Sequence, residues 1–519
     1  MRASNLRANQ QAVADLSRLI QIGNSQLESH FGKLLRTETP ASVEPLRYIT
    51  KDKPFPVLSQ EIVTRLGLIN AHISAVHRQA GDVAAASTTD SPVAKLYAEI
   101  RGPHISSTLA NLAAASVNTA KKKNPDAIYR TGTNGIGMYV KAMEGIFLAE
   151  YDNICSIFTR EDWASLFQLV CQLALAELAR TLRELNGHIR ANLSTDCCLS
   201  YEITGMITNL SNNLDTRTGE LKPALGAALR PVRETAKMSL SELFDDIKRR
   251  VGNIQSIPLD GSPVPIVTET LDRLQVMVTF IRPISSIMVS LGDGGWRSAS
   301  AAASSRAGDV APSLASFDVG ADGTEIFAHY CTDTLGALLS SLDQKARGLL
   351  KGKSVLGVFM ANCVAVLENG IQGSDLGPLL ENRLELLEQW RKKATSLYTD
   401  ACRDVSSHLL DAIHTNRSQR PTSGQPDSAS ILKGLGSKDK ESIKAKFQAF
   451  NTSFDDLVAK HKAYHMEREV RQMFARDMQQ FLEPLYNRFW DRYHEIDKGK
   501  GKYVKYDKAT VSAIFASLY

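Results

Sequence analysis

Nearly all of the chain's excess positive charge lies in eleven residues near the C-terminal end. The stretch reads Lys-Gly-Lys-Gly-Lys-Tyr-Val-Lys-Tyr-Asp-Lys, and we call residues 498–508 the basic loop. Its lysines are Lys498, Lys500, Lys502, Lys505 and Lys508. With one aspartate they give the loop a net charge of +4, whereas the whole 519-residue chain carries +5. Crowded like charges repel each other and add nothing to a core, so the loop predicts an anion-binding surface. Phospholipid headgroups, nucleic-acid phosphates and an acidic protein are the candidate ligands, and a merely solvated basic tail is the alternative.

The spacing of the lysines predicts how their side chains are presented. Lys498, Lys500 and Lys502 alternate with glycine, so in an extended segment they share one face. Lys505 and Lys508 are three residues apart at the expected start of a last helix, where such residues are neighbours.

The sequence after the loop predicts that it is held in place. Asp507 is a good N-cap residue, and an apolar stripe at spacing i, i+3, i+4, i+7 follows it. The stripe consists of Val511, Ile514, Phe515 and Leu518. A last helix docked on the rest of the fold therefore fixes one end of the loop.

Other groups of residues that could bind a ligand or a metal give weaker signals. His461, His465 and Glu469 are spaced by four and offer three metal ligands on one helix face, but no supporting second shell is identifiable, which favours a solvated face. Residues 132–137 are glycine-rich without forming a dinucleotide or phosphate-binding motif. No catalytic residue, metal site or cofactor is predicted.

Three further basic clusters, at residues 121–123, 248–250 and 391–393, have acidic or loop neighbours that indicate ordinary surface charge. We expect the basic loop alone to be both uncompensated in charge and constrained in conformation. A nucleic-acid partner is disfavoured because the charge is confined to one end.

The composition indicates a folded, soluble protein, with 43% hydrophobic and 23% charged residues. No window approaches 18 uninterrupted apolar residues, and the N-terminus lacks the apolar region of a signal peptide, so we expect a cytosolic chain. The seven cysteines form no CxxC pair and are expected to be free thiols.

Helical periodicity dominates the chain, and strand-like alternation is nearly absent, which predicts an all-α fold. The first helix, residues 4–35, has a heptad seam, for which a partner helix within the same fold is the favoured neighbour. The seam consists of Leu6, Val13, Ile20, Leu27 and Leu34. Because the chain opens inside this pattern, we expect further sequence upstream.

Later helical patterns include single helices over residues 267–291 and 377–407, and one over 467–496 that Pro484 kinks or restarts. Polar or small-residue stretches at residues 81–92, 292–323 and 416–427 predict linkers. We therefore expect N-terminal helical bundles over residues 1–235, a middle part over 236–415 with a flexible insertion near 292–323, and a C-terminal bundle over 416–519 that carries the basic loop.

The C-terminal block carries three specific motifs, namely residues 437–457, Lys-Ala-Tyr at 462–464, and Lys-Tyr-Val-Lys-Tyr at 502–506 before a final amphipathic helix. With these motifs the block closely resembles the seventy-kilodalton subunit family of the exocyst complex. Residues 48–58, Tyr-Ile-Thr-Lys-Asp-Lys-Pro-Phe-Pro-Val-Leu, also resemble fungal members.

This resemblance implies a non-enzymatic, elongated rod of consecutively stacked antiparallel helical bundles that helps to dock secretory vesicles at the plasma membrane. It implies other exocyst subunits, a Rho-family GTPase and phosphatidylinositol 4,5-bisphosphate in the inner leaflet as partners. Two lipid-binding lysines of the family match Lys502 and Lys505, while the roles of Lys498 and Lys500 rest on charge alone; Lys508 completes the set of expected headgroup-binding lysines.

The resemblance also implies a cytoplasmic protein recruited peripherally to sites of polarised secretion, namely the bud or hyphal tip and the septum. Family members begin with a coiled coil for assembly, most of which we expect this chain to lack. The alternative interpretation is a cytosolic helical adaptor whose basic end binds an acidic protein or an actin surface.

Overall fold

The computed structural model describes residues 2–40, 42–79, 91–124, 127–297, 322–410 and 434–519, together with residues 428 and 432. Three predicted linkers fall largely or wholly outside this part of the chain. Residues 81–90 of the first, 298–321 of the second and all of 416–427 are not among the described residues.

The described residues form α-helices joined by short connections and contain no β-strand, which confirms the predicted all-α class. In chain order the helices are α1 Arg2–Glu38, α2 Leu46–Ile49, α3 Gln60–Gln79, α4 Pro92–Lys122, α5 Ile136–Ile157, α6 Trp163–Ala191, α7 Leu193–Thr218, α8 Lys222–Gly252, α9 Pro265–Val278, α10 Ile281–Leu291, α11 Gly323–Leu349, α12 Lys353–Gln372, α13 Leu376–Leu380, α14 Glu385–Ser407, α15 Ser437–Ala463, α16 Arg468–Tyr493 and α17 Lys508–Ala516. Short 3-10 turns occupy Glu381–Arg383 and His494–Asp497.

Two helices predicted as continuous are divided in the structure, so those predictions were wrong. Residues 267–291 split into α9 and α10. Pro283 lies in the first turn of α10, where backbone N–H groups have no acceptor within the helix, so proline loses no helical hydrogen bond there. Residues 377–407 split into α13 and α14 around a 3-10 turn. Conversely, α16 runs through Pro484 without a restart, and Pro484 and Gln480 are exposed, so water can reach the carbonyl that the proline leaves unbonded.

The chain divides into two compact units, Met1–Leu240 with Phe280–Leu291, and Ser241–Thr279 with Gly292–Tyr519. The expected separation of residues 416–519 from 236–415 stays a prediction.

In the first unit, α4 packs along α6 and α5, and a buried ion pair lies between α4 and α5. Arg101 donates to both carboxylate oxygens of Glu150 at 2.5–3.1 Å, and Tyr97 donates to the same carboxylate at 2.7 Å. Because both charged partners are buried, removing one of them would leave the other uncompensated.

The first helix is covered at only one end. Phe31 and Leu35 are fully buried, whereas Val13, Leu16 and Ile20 are 50–62% exposed. The predicted seam therefore lacks a partner over residues 13–20 within the described part of the chain, and the side chain of Leu6 lies outside it.

In the second unit, α12 is the central helix. Gly357 permits α14 to approach it closely, since a Cβ there would lie 2.8 Å from the backbone of Ala394 and Tyr398. By length and composition α12 could cross a membrane, but 72% of its apolar stretch is buried. We interpret it as the core helix of this unit.

Candidate functional site

The basic loop connects the 3-10 turn after α16 to the first turn of α17. Its backbone is not extended, because Lys498, Gly499 and Gly501 all have positive φ, at 49°, 71° and 63°. The prediction of an extended segment with three lysines on one face was therefore wrong. Glycine adopts these angles without strain, which explains the Lys-Gly-Lys-Gly alternation as a requirement of tight turns.

A buried carboxylate holds the loop from inside. Asp497 is only 6% exposed, and its carboxylate accepts the N–H groups of Tyr503 at 2.9 Å and Val504 at 3.4 Å. Its carbonyl accepts the N–H of Lys500 at 3.0 Å. The chain thus turns around Asp497, and the intervening lysines point outward and are exposed.

The second half of the loop is bound to α15 and α16. Asn451 of α15 donates to the carbonyl of Tyr503 at 2.9 Å, and Tyr486 of α16 donates to the carbonyl of Tyr506 at 2.7 Å. The Tyr506 hydroxyl donates to Asp455, and its ring meets Phe454 edge-on.

The last helix begins and docks as predicted. Asp507 accepts the N–H of Thr510 at 2.6 Å, and this contact lowers the pKa of Asp507. Val511, Phe515 and Leu518 are at most 1% exposed, which confirms the docked stripe, and Ile514 is half-buried. α17 begins at Lys508, so Lys508 lies in its first turn and Lys505 lies just before the helix.

The loop's five lysines fall into two groups. Within the described part of the chain, Lys498, Lys500 and Lys502 are exposed and make no ion pair. Lys505 pairs with Asp455 at 2.6 Å, and Lys508 pairs with Asp491 of α16. The loop's charge is therefore partly compensated by residues distant in sequence, contrary to the expectation from its neighbours.

The Lys505–Asp455 contact favours the charged form of both partners. The hydrogen bond to Asp455 raises the pKa of Lys505. Burial alone would raise the pKa of Asp455, but hydrogen bonds from Lys505 and Tyr506 outweigh it and lower that pKa.

The structure adds a lysine that the sequence reasoning missed. Lys444 of α15 places its Nζ 5.3 Å from the centre of the Tyr503 ring, and Lys502 approaches the same ring at 5.3 Å. Such cation–π contacts orient ammonium groups on an aromatic face. Lys444 also pairs with Glu441 at 2.8 Å. Nothing in the local sequence of Lys444 marks it as a neighbour of the loop.

The clusters at residues 248–250 and 391–393 are mostly or fully paired, whereas at residues 121–123 only Lys123 makes an ion pair within the described part of the chain. Lys123 pairs with Asp196, and Arg391 pairs with Glu368 at 2.6 Å. Arg249 and Arg250 contact Asp246 and Glu269.

The three spaced metal-ligand candidates do not come together. α15 ends at Ala463, so His461 and His465 do not share a helix with Glu469 of α16. His461 is fully buried between Tyr398 and the carbonyl of Leu518, while His465 is exposed. Across the residues that the structure describes, no group of three or more His, Cys, Asp or Glu side chains could hold a metal ion. All seven cysteines are free, and six of them are buried.

These features describe an all-α protein whose candidate site is a rigidly held, exposed cationic loop suited to binding an anionic partner. Residues 133–517 match the family model that describes the C-terminal region of the Exo70 exocyst complex subunit. The exocyst complex protein EXO70 of Gibberella zeae is 63% identical over 518 residues, covering 100% of this chain and 80% of the relative. That of Neurospora crassa is 62% identical, covering 100% and 81%.

A crystal structure of the exocyst component Exo70p of Saccharomyces cerevisiae is similar in fold. Its TM-score is 0.72 at 18% identity, with 97% of this chain and 89% of the other covered. A second structure of S. cerevisiae Exo70 gives 0.71 at 20% identity, covering 97% and 88%.

The chain belongs to the Exo70 family of exocyst complex subunits. It is thus an exocyst subunit that acts in exocytosis at the plasma membrane, with other exocyst subunits as partners. The family is a structural one rather than a known family of enzymes.

Proposed function

We propose that this exocyst subunit binds phosphatidylinositol 4,5-bisphosphate of the plasma-membrane inner leaflet through the basic loop. The observation that carries the proposal is a group of three exposed lysines, Lys498, Lys500 and Lys502, that form no ion pair with any residue the structure describes. They lie on a backbone fixed by Asp497 on one side and by α17 on the other. A fixed cluster of ammonium groups binds a phosphate-rich surface with little further loss of conformational freedom. Lys505 and Lys508 join the contact when a phosphate displaces their aspartate partners.

The number of free lysines limits the affinity. A basic residue near an anionic leaflet contributes about 1 kcal/mol, so five lysines would give roughly 5 kcal/mol and the three unpaired ones roughly 3 kcal/mol. A dissociation constant of 1 mM corresponds to about 4.1 kcal/mol. The loop alone is therefore a weak anchor, and stable recruitment requires a polyvalent headgroup together with further contacts made by the complex.

A Rho-family GTPase is the second partner that we propose, on the strength of membership in this family. Lipid, GTPase and the other subunits then act together, which restricts recruitment to sites of polarised secretion such as the bud or hyphal tip and the septum. Retention of the chain by GTP-loaded but not GDP-loaded Rho proteins tests this part, and equal retention by both forms would contradict it.

Flotation with liposomes tests the lipid proposal. The intact chain is compared with Lys502→Ala plus Lys505→Ala at physiological salt, on vesicles with and without the bisphosphate lipid. We expect the lipid to promote flotation and the double substitution to weaken binding at least about fivefold, because a lysine near the leaflet contributes about 1 kcal/mol.

The matched control is Lys121→Ala plus Lys122→Ala, which removes the same charge from exposed positions at the end of α4. It should leave flotation within about twofold of the intact chain, since these two lysines are not part of the proposed lipid site. Flotation that changes neither with the bisphosphate lipid nor with the loop substitutions would refute the proposal. It would favour the adaptor interpretation, with an acidic protein or actin as the partner.

A further inference from the structure

A second group of exposed positive charges lies in the first unit, at residues 46–58, which we call the α2 loop because it begins with α2. Its cationic side chains are Arg47, Lys51 and Lys53, and all three are exposed. Within the described part of the chain, none of them makes an ion pair. Asp52 is the single acidic residue of the loop, so three positive charges and one negative charge give a net charge of +2.

Packing on α5 fixes the conformation of the α2 loop. The Phe55 ring lies so close to Gly145 of α5 that a Cβ at that glycine would be 2.4 Å from the ring. Tyr48 stacks on Phe55, with ring centres 5.2 Å apart. At the end of the loop, the N–H of Leu58 donates at 2.9 Å to the side chain of Asn153, which is 2% exposed. A partner that binds this loop therefore loses little conformational freedom in ordering it.

Two of the cations repel each other. Arg47 and Lys51 are four residues apart across one helical turn, which the N–H of Thr50 closes by donating to the carbonyl of Leu46 at 2.9 Å. Like charges at this spacing are neighbours on a helix and destabilise it. A negatively charged partner would relieve this repulsion, which gives the α2 loop a physical reason to bind one.

The remaining exposed side chains indicate what kind of partner fits. Leu46 is 39% exposed and Val57 is 56% exposed, so the partner must offer apolar contacts as well as negative charge. The guanidinium of Arg47 matches the two oxygens of a carboxylate. A uniformly anionic membrane fits less well, because the net charge is half that of the basic loop and because the exposed Asp52 would be repelled. A protein segment can place its carboxylates at the cations and avoid Asp52.

We propose that the α2 loop is a preformed docking surface for an acidic, partly apolar segment of another exocyst subunit. Carboxylates of that segment bind Arg47, Lys51 and Lys53, and its apolar side chains cover Leu46 and Val57. This inference is independent of the lipid proposal, since it concerns different residues and rests on membership in the exocyst.

Carbodiimide crosslinking tests the contact, because this reagent joins a lysine amine directly to a carboxylate. For the full chain in the reconstituted exocyst, we expect Lys51 and Lys53 to crosslink to one acidic segment of one partner subunit. The Lys505–Asp455 pair, at 2.6 Å, should crosslink within the chain and is the internal positive control. Crosslinking of that pair, with none from Lys51 or Lys53 to another subunit, would overturn the proposal.

Charge reversal tests the affinity, with a peptide that covers the crosslinked segment as the ligand of the full chain. We expect Lys51→Glu plus Lys53→Glu to weaken peptide binding at least about tenfold, because like charges that face each other across an interface repel. Both positions are exposed, so the variant should fold. Replacing the crosslinked carboxylates of the peptide by lysine should restore binding to this variant, and failure of the restoration would overturn the proposed pairing.

The matched control is Lys121→Glu plus Lys122→Glu, which makes the same change of charge at exposed positions of α4. It should alter peptide binding by less than about twofold, since sites that share no partner act independently. Equal weakening by both variants would show that only the net charge of the chain matters, and the proposal would be wrong.

Gly145→Ala tests whether the surface is preformed, because it keeps every charge and places a Cβ against the Phe55 ring. We expect peptide binding to weaken at least about threefold, since a displaced loop must be ordered again on binding. An affinity equal to that of the unaltered chain would contradict a preformed surface.

Flotation on phosphatidylserine vesicles distinguishes a protein partner from a membrane. Lys51→Glu plus Lys53→Glu should leave flotation within about twofold of the unaltered chain, because the α2 loop and the basic loop share no partner. A loss of flotation as large as the loss expected for the peptide would assign the α2 loop to the membrane and overturn the proposal.

Discussion

The conformation of the basic loop depends on Asp497 more than on any of its lysines. Asp497 is buried among the loop's own amide groups and accepts from Tyr503 and Val504. Hydrogen bonds to a charged group contribute about 1.5–3 kcal/mol each, so two such contacts can hold a turn that includes the left-handed residue Lys498.

The substitution Asp497→Ala changes both the charge and the conformation of the loop, and we expect these two changes to have opposite effects on vesicle binding. The net charge rises by one, so electrostatics alone would strengthen binding to anionic vesicles. We expect weaker binding instead, because two buried N–H groups lose their acceptor and the loop loses about 2 kcal/mol of local stability. Flotation on bisphosphate vesicles and hydrogen exchange of residues 498–506 measure the two effects, with Asp456→Asn as the charge control. Unchanged exchange would show that Asp497 does not hold the loop, whereas stronger flotation with faster exchange would show that lipid binding needs no fixed loop conformation.

At the residue scale, the sequence predicts what lies close along the chain and misses what folding brings near. The lysine cluster, the N-cap Asp507 and the docked stripe can be read from spacing alone. Asp455, Asp491 and Lys444 belong to helices that precede the loop, and nothing in their own neighbourhoods indicates a contact with it. The partial neutralisation of Lys505 and Lys508 was therefore not predictable without the fold.

At the scale of elements, a buried histidine of α15 connects this helix to the end of the chain after α17. His461 of α15 accepts from the Tyr398 hydroxyl at 2.6 Å and donates its other ring N–H to the carbonyl of Leu518 at 3.3 Å, which fixes the end of α17. Tyr398 in turn stacks on Phe474 of α16, with ring centres 4.1 Å apart. Burial lowers the pKa of His461 to about 4, so this connection requires the neutral imidazole.

The His461 pKa predicts how stability depends on pH. The folded-state pKa of about 4 lies below the ordinary value of 6.5, so the unfolded chain binds the proton more readily. The contribution is therefore fully present above about pH 6.5 and is lost as the pH falls towards 4. Between pH 7 and pH 5 the preferential protonation of the unfolded chain at His461 lowers the free energy of unfolding by about 2 kcal/mol.

Urea unfolding at both pH values checks this, with His461→Gln as the comparison. The unaltered chain should lose about 2 kcal/mol more of its free energy of unfolding than the variant does between pH 7 and pH 5. Equal losses, or an imidazole that titrates near 6.5 by NMR, would mean that His461 is accessible to water in the folded protein.

Helix existence was predictable from periodicity, but helix continuity was not. Residues 267–291 and 377–407 keep their apolar pattern across a break, so periodicity alone does not locate it. For α16 the reverse holds. Pro484 suggests a break, but the helix continues through it, because this residue is exposed and water can reach the carbonyl that it leaves unbonded. In each case the deciding factor is the environment of one turn, which depends on tertiary packing.

At the scale of the whole molecule, the all-α class was predictable from helical periodicity, and the family was predictable because the motifs at residues 437–457 and 502–506 are specific. Membership in the Exo70 family follows from the match over residues 133–517 and from relatives above 60% identity. The lipid and GTPase partners are our proposals, and the lipid proposal can be tested most directly at the basic loop.

The measurement that tests this central claim most directly is the hydrogen-exchange footprint of the full chain on vesicles with and without phosphatidylinositol 4,5-bisphosphate. We predict that the bisphosphate lipid slows exchange at residues 498–506 and leaves residues 121–124 unchanged. Unchanged exchange in the basic loop, with protection at another surface of a chain that does bind the vesicles, would contradict the assignment of the lipid site.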